Sequence, residues 1–127
     1  MQACDVTIST KTNGRENKIS RSGEMELSLT SAKVSYIEEN ARVTLTLEKG
    51  IVTIDRDGDY SLFLVLERGK LREGSLGING SAGSIHTNTY RIAYSLTEKS
   101  LLLSLHYDLL TGGDPQRMQI RVFSKFI

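Results

Sequence analysis

The sequence has one cysteine, one proline and no tryptophan, and its charges nearly cancel: 16 Lys+Arg against 15 Asp+Glu, a formal net charge of +1. A single thiol, Cys4, excludes an intramolecular disulfide and leaves no second sulfur for a redox pair. No apolar run is longer than Leu62 to Leu66, far short of a bilayer-spanning helix. The residues Met1 to Val6 lack the basic-then-apolar order of a secretory leader. The expectation is a cytoplasmic chain with a reduced thiol and no membrane span. The missing basic excess argues against nucleic acid as a partner. Arg117, Arg121 and Lys125 come closest to a basic stripe, and like charges on the outer face of one strand read as a solvated surface.

Helical periodicity is absent as well. The stretch "SAKVSYIEENARV" carries β-branched and aromatic residues at Val34 and Tyr36 and a turn at Glu39-Asn40. What is present is alternation. Val43, Leu45 and Leu47 share one face against Thr44, Thr46 and Glu48. The same period of two runs through Val52 and Ile54, through Leu62, Leu64 and Leu66, through Leu103, Leu105, Tyr107 and Leu109, and through Met118, Ile120 and Val122. With 127 residues, the chain fits one domain, 1–127, with one core.

Because a one-residue slip moves every side chain to the other face, parity constrains the hairpins. Leu47 opposite Val52 requires a two-residue Lys49-Gly50 turn, and Tyr36 opposite Val43 requires a turn over Glu38 to Ala41. In "IVTIDRDGDYSLFLVL" the apolar pattern favours a three-residue loop, Arg56-Asp57-Gly58, with Ile54 opposite Tyr60 and Gly58 left-handed in a G1 bulge. That register sets Asp55 against Asp59. A long antiparallel meander that hides both edges closes into a barrel. The fold expected is all-β, a single antiparallel meandering barrel of eight to ten strands, with an open two-sheet sandwich as the alternative.

The chemistry-bearing residues are sparse. Asp55-Arg56-Asp57-Gly58-Asp59 resembles a cation loop, but an EF-hand needs Gly sixth and Glu twelfth; counted from Asp55, those places hold Tyr60 and Leu66. The hairpin-tip reading prevails and no metal site is expected. His86 and His106 are the only histidines, too few for zinc with the cysteine remote. "GINGSAG", residues 77 to 83, has no following helix to present to phosphate and reads as a flexible strand connection or a glycine kink. No nucleophile elbow or phosphate loop occurs, so no catalytic residue, enzyme activity or cofactor is expected.

The tyrosines offer more. Tyr36, Tyr60, Tyr94 and Tyr107 fall on strands, where they fill the core or line a ligand cavity. Arg56, in phase with Val52 and Ile54, stands near one mouth, where it could meet a carboxylate or phosphate head group or simply offset Asp55 and Asp59. The ligand-binding set expected is therefore Tyr36, Arg56, Tyr60, Tyr94 and Tyr107, around a small apolar or amphipathic molecule. The competing reading is an interaction protein with a filled barrel. Phe63 and Val65 point away from the Leu62-Leu64-Leu66 face, and a second copy of the chain in a homodimer would cover them.

The succession "SYIEE" (35–39), "GIVTIDRDG" (50–58), "GSIHTNT" (83–89) and "LSLHYDL" (103–109) resembles the YwiB-like family of small bacterial proteins, from about Val6 to about Phe123. Its marks are an arginine two residues before a turn glycine, met by Arg56 and Gly58, and a strand opening on Gly83 with Thr87 and Thr89 in alternation. The resemblance implies a lipocalin-like, calycin-type barrel and a domain of unknown function, with no activity or functional residues to carry over. Secreted lipocalins add a leader, a Gly-x-Trp and usually a disulfide; this chain has none of the three.

Overall fold

The computed structural model describes residues 1–127. Ten strands follow in chain order: β1 (Gln2–Thr12), β2 (Arg15–Leu27), β3 (Ser31–Glu38), β4 (Ala41–Glu48), β5 (Ile51–Asp57), β6 (Tyr60–Leu66), β7 (Leu71–Ile78), β8 (Ser81–Leu96), β9 (Ser100–Leu110) and β10 (Gln116–Phe126). Each pairs antiparallel with its chain neighbours, and β1 pairs with β10, so the meander closes into a barrel. The expected barrel is what forms, and the open sandwich is not.

The turns explain much of the register. Asn13-Gly14, Lys49-Gly50 and Asn79-Gly80 all have positive φ at both residues, the conformation of a type I′ hairpin turn that Asn-Gly favours. Leu47 faces Val52, Leu45 faces Ile54 and Tyr36 faces Val43, as parity requires. The turn before β4 is tighter than expected, since Glu38 already pairs with Ala41. "GINGSAG" is no kink: Asn79-Gly80 is a hairpin tip that sets Ile78 opposite Ser81, and Gly83 has open space around it.

The β5–β6 hairpin departs from the expected register. Ile54 faces Leu64 rather than Tyr60, Asp55 faces Phe63, and Arg56 faces Leu62. Because the shift is even, every apolar side chain keeps its face. Gly58 is not left-handed. It is instead pressed on the β3–β4 turn, where an added Cβ would lie 2.5 Å from the Ala41 Cβ and 2.6 Å from the Asn40 carbonyl oxygen. That contact widens the loop.

A second irregularity lies between β6 and β7. Tyr60 to Phe63 pair with Ile78 to Ser75, and then β7 leaves. The divergence begins at Gly74, where a Cβ would collide with the Phe63 carbonyl oxygen. The Val65 carbonyl, left without a β7 partner, accepts a hydrogen bond from Thr87 Oγ1 at 2.6 Å. Inside, one cluster of twenty buried side chains fills the barrel, among them Val6, Met25, Val34, Leu47, Val52, Leu66, Leu103, Leu105, Tyr107 and Val122. Fully burying each large aliphatic contributes about 1.5–3 kcal/mol.

Gly74→Ala is expected to destabilise the barrel by about 1–3 kcal/mol through that collision. Gly83→Ala is expected to stay within about 0.5 kcal/mol of the parent. Urea denaturation of the two variants side by side checks both.

Candidate functional site

The alternation that points Val43, Ile54 and Leu62 inward brings their strands' upper residues to one mouth of the barrel. Val43 and Leu62 flank Arg56 as its cross-strand partners on β4 and β6. Around this row lies a cleft of about 310 Å³ with Val43, Ile54 and Leu62 among its apolar lining, Tyr36 and Tyr60 at its walls, and Glu38, Glu39 and Asp59 alongside Arg56.

Arg56 is held on three sides. Its Nη1 donates to the Tyr60 carbonyl oxygen at 2.8 Å, and its Nη2 to Asp59 Oδ1 at 2.8 Å. The guanidinium carbon stands 3.7 Å from the centre of the Tyr60 ring, a close cation–π contact. Burial works against the Arg56 charge, and the hydrogen bond to Asp59 with the charges of Tyr60, Asp59 and Glu38 more than offsets it, so its pKa moves up. The same hydrogen bond holds the exposed Asp59 carboxyl below the usual range. Burial pushes the Tyr36 phenol well above its ordinary value, with Glu38 adding and Arg21 opposing, so Tyr36 faces the cleft neutral.

Of the five tyrosine and arginine positions expected to bind a ligand, the structure gathers Tyr36, Arg56 and Tyr60. Tyr107 lies in the core on β9, opposite Thr89 and Met118, where burial raises its phenol. Tyr94, on the part of β8 that runs past the end of β7, is 47% exposed and lines no part of the cleft. The expected opposition of Asp55 and Asp59 does not arise. Asp55 faces Thr44 and Phe63, Asp57 faces Arg42, and Asp59 binds Arg56.

One cluster was not visible in the sequence. The β8–β9 register shifts between Thr89 and Arg91, a bulge with neither glycine nor proline to announce it. It turns Tyr90 outward, where its hydroxyl donates to Asp108 Oδ2. Arg117 Nε donates to Asp108 Oδ1 at 2.8 Å and lies 5.0 Å from the Tyr90 ring centre. Arg117 is thus anchored to Asp108 while its side chain stays largely exposed. The hydrogen bonds from Arg117 and then Tyr90 hold the Asp108 carboxyl down.

Residues 4–121 match the model of a domain of unknown function, DUF1934. The chain belongs to this family. The crystal structure of the YwiB protein from Bacillus subtilis is similar, with a TM-score of 0.84 at 16% identity over 99% of this chain and 92% of that chain. At that identity the likeness is one of fold. The YwiB-like resemblance carried by residues 35–39, 50–58, 83–89 and 103–109 is borne out. No curated protein matches the chain, and no helix is long and apolar enough to cross a membrane.

Asp59 is the titrating partner in the mouth. Its folded pKa is depressed, so its contribution to stability is present above the ordinary carboxylate value of about 3.9 and is lost as pH falls through the lower folded value. NMR titration of the side-chain carboxyl is expected to show Asp59 below the usual range in the parent and shifted upward in Arg56→Gln.

Proposed function

We propose that this DUF1934 barrel is a non-catalytic, cytoplasmic binding protein whose mouth cleft takes a small, partly apolar molecule. The observation that carries the reading is the convergence of Tyr36, Arg56 and Tyr60 over an apolar floor in a cleft of about 310 Å³, beside an interior filled by its own side chains. Ligand sites typically combine such apolar lining with a few placed polar groups. Arg56 directs one N–H of each terminal nitrogen to the Tyr60 carbonyl and Asp59, and its pairing with the Asp59 carboxylate favours the offsetting role over capture of an anionic head group. The rim adds Glu38 and Glu39 to Asp59, so the cleft suits an apolar body with a cationic or donor-rich head. The interaction reading has less to rest on. Phe63 is 39% exposed, but Val65 is buried within its own chain and needs no partner to cover it.

Phenethylamine and phenylacetate, alike in body and opposite in head-group charge, test the cleft by amide-detected NMR titration. Phenethylamine is expected to shift Tyr36, Val43, Arg56 and Tyr60 saturably and more tightly than phenylacetate does. Tyr60→Ala should weaken it, while Tyr94→Ala should not. Absence of saturable shifts at the mouth with either compound ends this reading.

A further inference from the structure

We propose that the outer face of β1, β9 and β10 carries a binding site for a phosphate group, built by Lys11, Arg121 and His106. Ser9 faces Arg121 and Arg121 faces Ser104; two residues along, Lys11 faces Gln119 and Gln119 faces His106. Six polar side chains thus form two adjacent rows across three neighbouring strands. Ile8, Val122, Leu103 and Leu105, on the alternate positions, point into the core. The rows line a depression of about 280 Å³ on the barrel's outside.

Its chemistry is almost wholly that of donors. Arg121 stands between two serines in one row, and Lys11 and His106 stand at the ends of the other, so three donor-bearing groups surround one polar centre. Diagonal neighbours on a sheet lie about 7–8 Å apart, a spacing that one tetrahedral oxyanion spans with hydrogen bonds to each. Arginine, lysine, the glutamine amide and an imidazole N–H all donate, and the serine hydroxyls can.

No ion pair within the protein engages these donors. Its ion pairs are Arg56–Asp59, Lys70–Glu67, Arg72–Glu67 and Arg117–Asp108; Lys11, Arg121 and His106 take part in none. Glu16, the cross-strand partner of Lys11, lines the depression but makes no ion pair with it. Lys11 and Arg121 are diagonal neighbours on the sheet, and Glu16 is the one acid lining the depression, so an oxyanion there adds a counter-charge beside Arg121. Arg117, on the same face, shows the contrast, since Asp108 answers it directly.

The test is amide-detected NMR titration at constant ionic strength with inorganic phosphate and with phenyl phosphate, sodium chloride being the control. Saturable shifts at Ser9, Lys11, Ser104, His106, Gln119 and Arg121 with either phosphate, absent with chloride, are expected. Tighter binding of phenyl phosphate assigns the site to phosphate esters; equal binding assigns it to the free anion. Arg121→Gln, an exposed change, should weaken binding about tenfold or more, the scale of a lost charged hydrogen bond. Glu16→Gln should tighten it, and Lys125→Gln, farther along β10, should leave it unchanged. Shifts that chloride reproduces, or that persist undiminished in Arg121→Gln, overturn the proposal.

Discussion

The pairing of β1 with β10 joins the two ends of the chain in one continuous ladder, from Cys4 opposite Phe126 to Thr12 opposite Met118. Without it the sheet would present two edges, each a row of unpaired backbone donors and acceptors. With it, Val6 and Ile8 meet Val122, and the inner faces of all ten strands enclose one cluster. This contact has a large cost in loop entropy, since it joins residues more than a hundred positions apart. The short hairpins keep the intervening order local, so closure is the last long-range contact the meander needs.

Closure also decides where chemistry can occur. A meander of this size fills its interior with Leu, Val, Met and Tyr side chains, with Thr87, Thr89 and Ser124 buried among them, and the charged residues lie at the mouth and on the outer face. The two regions differ in sign. The mouth carries Glu38, Glu39 and Asp59 around one committed arginine, whereas the outer depression carries the cations Lys11 and Arg121 against Glu16 alone. A formal net charge of +1 conceals this asymmetry, which exists only once register has sorted the side chains.

Much of the architecture was legible in the residues because strand parity is a local property. Leu45 opposite Ile54, the Lys49-Gly50 turn and the inward line Leu103, Leu105 and Tyr107 all follow from a period of two. The β5–β6 offset did not, because its cause is the seat of Gly58 against Asn40 and Ala41 on another hairpin. An even offset preserves the faces, so the apolar pattern could not distinguish the two registers. The bulge at Tyr90 had no glycine or proline to mark it. The Asn-Gly pairs at 13–14 and 79–80 form hairpin turns, where the glycine spacing of "GINGSAG" had suggested a flexible connection or a kink. Tyr36, Arg56 and Tyr60 were grouped by alternation because they share one phase on β3, β5 and β6. Tyr94 and Tyr107 share that phase too, but β8 and β9 carry them away from the mouth to a stretch where β7 has ended and to the core.

The barrel interior is filled by its own side chains, which confines ligand-sized space to its surface. Crystals of the protein pressurised with xenon test it most directly, because a dry apolar cavity takes up xenon. No xenon density is expected among Val6, Leu103, Leu105, Tyr107 and Val122. Xenon bound within that cluster would contradict it and return the ligand site to the barrel's interior.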